Sequence, residues 1–261
     1  MSDSPIRVES ILGGACWRIV LDRPKANILD SAMVDALMEV LDRTDPEVDP
    51  EARGLRALIF EGEGRHFSFG ASVEEHKPGL VENMIPTFHK LFEKLLESRL
   101  FLMAAVRGQC LGGGLELAAF CHRLFASPDA KLGQPEIHLG VIAPVASLIL
   151  PERCGRSNAA DLCLTGRTVE AAEALSMGLV DEVHEDPGQA AVDFVEQRLC
   201  PLSASSLRHA VAALNLGFQE AFHRNVGRAE TLYLDELMST EDAVEGITSF
   251  LDKRKPEWSQ G

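Results

Sequence analysis

The change of periodicity along this chain limits its fold more than any other feature. In the first half, short apolar runs alternate with helical stripes. Residues 16–21 (CWRIVL), 55–60 (LRALIF) and 102–106 read as strands, with shorter ones at 124–126 and 131–133. A helix from about Asp30 puts Met33, Val34, Leu37, Met38 and Leu41 on one face. Residues 85–96 present a second stripe of Ile85, Phe88, Leu91, Phe92, Leu95 and Leu96, and 115–121 reads as a short third helix. From about Pro144 the pattern is almost wholly helical, with segments near 144–152, 156–164, 169–176, 189–199, 204–216, 219–238 and 240–254. The lone strand candidate there is 179–183, and Gly166, Gly178 and Gly217 are the expected helix stops. Strands separated by helices imply a parallel sheet with crossover connections. The expected architecture is an α/β core over 1–195 followed by a helical region over 196–261. Tail helices such as 199–216 are apolar around more than one face, so a second face needs cover from another subunit or from the chain's own core.

Charge narrows the range of partners. Forty acidic against 25 basic side chains leave a formal net charge of −15. A nucleic-acid binder needs a basic footprint, and none is visible. An anionic ligand must therefore be held by a few local Lys or Arg side chains and by backbone N–H groups. The six cysteines include no CxxC pair and read as reduced, structural thiols. The opening MSDSPIRVES has no apolar signal region. The most apolar run, 141–150, is about half of a bilayer span and contains Pro144. The expectation is a soluble, cytoplasmic protein without membrane contact.

Three segments carry chemistry. Gly62 to Ser72 (GEGRHFSFGAS) leaves a strand and ends in small residues, where a backbone N–H can approach a ligand closely. Gly108 to Glu116 (GQCLGGGLE) also leaves a strand and opens a helix, exposing the first helical N–H groups to negative charge. It is neither a Walker A loop nor a dinucleotide fingerprint. Gly133-Gln134-Pro135-Glu136 sets a carboxylate among apolar neighbours, where burial raises its pKa and suits it to general acid–base work. Taken singly, each segment also fits a glycine turn, a dipole-complementing surface carboxylate or a loop residue. Together, Glu116 and Glu136 supply the two proton-transfer groups that addition of water to a double bond requires. No histidine or cysteine cluster has metal-ligand spacing, and no nucleophile elbow occurs. His66, His76 and His138 fall near these segments and read as structural, as do Met177 and the phenylalanines.

From Asp22 to Val183 the chain resembles the crotonase (enoyl-CoA hydratase/isomerase) superfamily. The resemblance rests on DRPKANIL (22–29), HFSFGASVEEH (66–76), the stretch 104–140 and TGRTVEAAEALSMGLVDEV (165–183), with EGITSFLDKRKPEW (245–258) similar to the family's closing helix. It implies a crotonase-like (ClpP/crotonase) spiral of ββα units with a C-terminal helical trimerisation region. It implies an oxyanion hole made by the backbone N–H groups of Ala71 and Gly113, with Glu116 and Glu136 as the catalytic carboxylates of a hydratase. Lys25, Ala26, Ile28, Gly70, Ser72, Val73 and Gly112 match positions lining the acyl-CoA, and Phe250 and Lys253 lie where the closing helix reaches a neighbouring subunit's CoA. The implied partner is an acyl-CoA thioester, with no separate cofactor because coenzyme A belongs to the substrate. The implied assembly is a homotrimer or a homohexamer. The alternatives within this likeness are a general 2-enoyl-CoA hydratase or isomerase. A non-catalytic binding module is disfavoured by the retained carboxylate pair.

Two departures from the family pattern stand out. Ser72 follows Ala71 where most members carry Asp. Residues 141–150 read VIAPVASLIL where short-chain hydratases have a glycine-rich helix start. Val, Ala and Ser in place of glycine reshape the wall beside the acyl group and make it drier, which points to a bulkier, cyclic acyl group.

Overall fold

The computed structural model describes residues 4–23 and 25–261. The strands are β1 (Ile6–Ile11), β2 (Cys16–Leu21), β3 (Ala57–Gly62), β4 (Phe101–Val106), β5 (Gln109–Leu111), β6 (Arg123–Ala126), β7 (Lys131–Gly133), β8 (Thr168–Glu170) and β9 (Glu182–Val183). The helices are α1 (Ser31–Asp42), α2 (Val81–Glu97), α3 (Gly113–Phe120), α4 (Pro144–Thr165), α5 (Ala171–Ser176), α6 (Pro187–Phe194), α7 (Ala204–Thr231) and α8 (Glu241–Leu251).

One sheet has the order β1-β2-β3-β4-β6-β9. The β1–β2 pair is an antiparallel hairpin, and every later pairing in that sheet is parallel. Strands covered on both faces must be apolar at successive positions. In β3, Leu58 and Phe60 enter the main core, while Ala57 and Ile59 enter a smaller core shared with Ala191 and Val195. A second sheet, β5-β7-β8, runs beside it. Isolated parallel bridges, Leu29 to Ala71 and Ser68 to Cys110, extend its pattern to earlier loops. Each strand from β2 to β4, and then β6, thus continues into an extended segment of this second row before its helix begins. That repetition is the spiral of ββα units.

Local sequence explains the helix starts. Asp30 caps α1 by accepting the Met33 N–H at 2.9 Å. Pro144 opens α4, where its missing N–H is not needed. The left-handed Gly166 ends α4, as expected, and Gly155 (φ 80°) divides it where two helices were read.

Two expectations are corrected, and one strand went unread. Gly217 does not stop a helix, because α7 runs unbroken through it. The intrinsic penalty of glycine, about 1 kcal/mol, is outweighed by Phe218 and Phe222, which pack on Phe120 with ring centroids 5.8 and 5.7 Å away. Residues 168–170 pair as β8 with β7 rather than starting a helix at 169. Strand β1 was not read from the sequence because its alternation ends after Ile6 and Val8, where Ser10 takes the next position on that face.

Helix α7 packs on α2 and α4, yet only Val211, Phe222 and Val226 along it are buried. Leu214 and Leu216 stay 73% and 68% exposed. Helix α8 lies against two short 3-10 turns, Val73–His76 and Pro135–Leu139. Gly246 permits that approach, since a Cβ there would fall 2.1 Å from the Leu139 carbonyl oxygen. Among the described residues no helix is long and apolar enough to cross a membrane, and no group of three His, Cys, Asp or Glu side chains could hold a metal ion.

Candidate active site

The second row of extended segments aligns the loops singled out in the sequence. The Leu29 N–H donates to the Gly70 carbonyl at 2.9 Å, Leu111 N–H to Ser68 O at 3.0 Å, and Gly112 N–H to Gly133 O at 3.0 Å. The glycines of these loops are spatial requirements. Gly70 has φ 99°, and a Cβ on it would meet Leu111 O at 2.8 Å and Gly113 N at 3.1 Å. A Cβ on Gly113 would meet Ala71 N at 3.1 Å and the edge of Phe88 at 3.0 Å. The backbone nitrogens of Ala71 and Gly113 are therefore neighbours. Gly113 opens α3, so its N–H is one of the helix's unpaired donors and sits at the positive end of the dipole.

Glu116, in the first turn of α3, is 4% exposed. Helix α4 has no side-chain cap of its own, and Glu116 serves it from outside by accepting the Ala146 N–H at 2.7 Å. That bond fixes the carboxylate's direction. Burial raises its pKa to about 7, against the opposing pull of the Ala146 and Val145 N–H groups. Glu136 sits in the 3-10 turn after β7 and is half-buried as a residue, but its Oε2 is buried and has no hydrogen-bond partner. Burial, and then the charge of Glu116, push its pKa up to about 8. The two carboxyls lie within electrostatic reach and titrate as a pair.

The structure thus brings Ala71, Gly113, Glu116 and Glu136 together, flanked by Gly70 and Gly112. Ala26 accepts the Phe69 N–H at 2.9 Å, which lays segment 26–29 along the loop leading to Ala71, with Ala26 and Ile28 half-buried and Lys25 exposed. Ser72 and Val73 are half-buried beside Ala71. Phe250, 54% exposed, and Lys253 stand on the open surface at the end of α8. Val141, Ala143, Val145 and Ala146, from the departing segment, are buried, and the Val141 N–H donates to Glu136 O at 3.2 Å.

The histidines are structural in geometry. His66 Nδ1 accepts the Gln109 N–H at 3.0 Å, His76 Nδ1 pairs with Ser72 O at 2.7 Å, and His138 is exposed beside Gly166. Sequence reasoning missed Ala146, whose backbone donor leaves no trace in residue type. It also missed Tyr233, whose buried phenol has its pKa raised by burial and then by the charges of Glu136 and Glu116. Its only signal was being the chain's single tyrosine.

Residues 13–261 match the family model described as enoyl-CoA hydratase/isomerase. The chain belongs to this family. It is 46% identical over 257 residues to a cyclohexa-1,5-dienecarbonyl-CoA hydratase of Thauera aromatica, covering 98% of each chain. It is 34% identical to a probable enoyl-CoA hydratase of Bacillus subtilis, covering 92% of this chain and 93% of that one. Among solved structures, an enoyl-CoA hydratase from Mycobacterium avium superimposes with a TM-score of 0.83 at 27% identity, covering 99% of this chain and all (100%) of the other. An enoyl-CoA hydratase/isomerase from Pseudoalteromonas atlantica gives a TM-score of 0.84 at 26% identity, covering 98% and 100%. The enoyl-CoA hydratase/isomerase family thus accounts for both the spiral core and the helical tail.

Proposed function

We propose that this family member hydrates cyclohexa-1,5-diene-1-carbonyl-CoA to 6-hydroxycyclohex-1-ene-1-carbonyl-CoA, a step of anaerobic benzoyl-CoA degradation. The observation that carries the reading is the buried Glu116/Glu136 pair beside the adjacent N–H groups of Ala71 and Gly113. The 46% identity to a hydratase named for this diene and the dry wall of residues 141–150 support the choice of acyl group.

The mechanism follows from the asymmetry of the pair. Glu116 is held by backbone donors and ionises first, so it serves as the base. Glu136, whose buried Oε2 has no donor to stabilise a charge and which faces the charge of Glu116, keeps the proton and serves as the acid. Glu116 takes a proton from water as its oxygen bonds to the carbon β to the thioester. The displaced electron pair spreads over the ring and onto the thioester oxygen, where the Ala71 and Gly113 N–H groups receive the charge. Glu136 then protonates the γ carbon, which completes a 1,4-addition. A proton passing from Glu116 to Glu136 resets the pair. Coenzyme A enters as part of the substrate, and no separate cofactor takes part. The exposed Leu214 and Leu216 on α7 support assembly into a trimer or a pair of trimers.

The test offers cyclohexa-1,5-diene-1-carbonyl-CoA and crotonyl-CoA side by side and follows water addition by chromatography and mass. A strong preference for the diene is expected. Preference for crotonyl-CoA would make the chain a general 2-enoyl-CoA hydratase. Turnover of neither would leave an isomerase or a non-catalytic module.

A further inference from the structure

Tyr233 occupies a π-helical turn, Leu232–Glu236, that continues α7. Such turns re-aim side chains by one residue and recur at functional sites. The side chain is fully buried at 0% exposure, and its hydroxyl has no hydrogen-bond partner among the described residues. Leaving a buried hydroxyl unpaired is destabilising, and phenylalanine would fill the same space without that penalty. The ring lies 6.4 Å from that of His76, on the turn that follows Ala71 and Ser72. Burial raises the phenol's pKa first, and the charges of Glu136 and Glu116 raise it further, so the hydroxyl stays protonated. Two buried polar atoms without a partner therefore belong to the same part of the fold, the Tyr233 phenol, which can donate, and Glu136 Oε2. A single water needs two to four polar partners to be held in a buried place.

We propose that the Tyr233 hydroxyl holds the reacting water against the Glu116/Glu136 pair. It acts as a positioning residue for the hydration assigned above, and the inference rests on that reading. The phenol donates to one lone pair of the water oxygen. The water donates one proton to the ionised carboxylate, and its other lone pair faces the β carbon. After the carbon–oxygen bond forms, the new hydroxyl group still accepts from Tyr233, so the contact lasts through the addition.

The experiment compares the full-length parent with Tyr233→Phe, using the diene thioester and crotonyl-CoA. The expected result is a fall in kcat of about tenfold to hundredfold, with KM for the thioester changing less than about threefold. The rising limb of kcat against pH should move to higher pH, because a carboxylate that loses its hydrogen-bonded neighbour holds its proton more tightly. The thermal unfolding midpoint should stay level or rise. Parental kcat with an unmoved pH limb would overturn the proposal. So would a fall in kcat that tracks a lower unfolding midpoint, which would assign the hydroxyl a structural role. If the parent hydrates neither thioester, the hydration reading itself fails, and this inference with it.

Discussion

Gly112 leaves open the space into which the Glu136 carboxylate reaches: a Cβ at position 112 would stand 2.5 Å from Glu136 Oε1. Its backbone, at φ 54° and ψ −130°, is also one that L side chains avoid. Gly112→Ala should therefore displace the Glu136 carboxylate and strain the turn into α3. The expected outcome is a loss of kcat/KM of about a hundredfold or more, with stability lowered by about 1–3 kcal/mol. Steady-state kinetics beside urea unfolding checks both, and parental kinetics would show that Glu136 is not held where the reaction occurs.

The carboxylate pair opposes folding at neutral pH. In the unfolded chain a glutamate ionises near 4.5, whereas burial delays ionisation to about 7 for Glu116 and about 8 for Glu136. Between these limits the folded state binds more protons than the unfolded one, so stability falls as pH rises. Replacing both with Gln should flatten that decline and raise stability at pH 8 by on the order of 2 kcal/mol. CoA binding should persist while turnover is lost. Unfolding free energies at pH 5 and pH 8 measure the slope, and an unchanged slope in the double variant would remove the pair as its source.

His89 and Glu230 fasten the end of α7 to α2, with His89 Nδ1 2.7 Å from Glu230 Oε1. The His89 ring is buried, its Nε2 has no partner among the described residues, and burial lowers its pKa despite the carboxylate. Glu230→Ala strips the remaining partner and should lower stability by about 1–3 kcal/mol. The buried neutral imidazole stabilises the fold above the ordinary histidine pKa of 6.5, and that contribution fades as pH falls below it. His89→Phe should weaken this acid sensitivity, which chemical denaturation between pH 5 and pH 7.5 would reveal.

Gly217 lies within a continuous helix, without a positive φ, and a Cβ there would meet nothing within 4 Å in the single chain. Gly217→Ala should raise the unfolding free energy by about 0.5–1 kcal/mol. A destabilised variant that also dissociates on a sizing column would put position 217 inside a subunit contact.

Much of this was legible in the residues. Strand β2 and strand β7 were read to the residue because an apolar run or a Lys-Leu-Gly edge sits between clear breaks. The convergence of the small-residue loops and the two carboxylates was legible in residue type: glycine stands where a Cβ would collide, and both glutamates are drawn out of water beside it. What stayed hidden depends on contacts between distant segments. Ala146 acts through its backbone, Tyr233 comes to lie beside His76 only because α7 runs on through Gly217, and β8 exists only because β7 lies beside it. Periodicity carries no information about any of these.

The site also has a history written into its connections. Ser68 Oγ takes its place by donating to Asn27 O, 41 residues earlier, and His66 by accepting from Gln109 N, 43 residues later. No local segment builds the corner where Ala71 and Gly113 meet; it exists once separate turns of the spiral have closed on each other. Such distant pairings form late, because loop-closure entropy is spent before they reward it. A chain that has collapsed and wound its helices is still inert, so recovered turnover reports the final long-range closure and lags behind the helical signal on refolding.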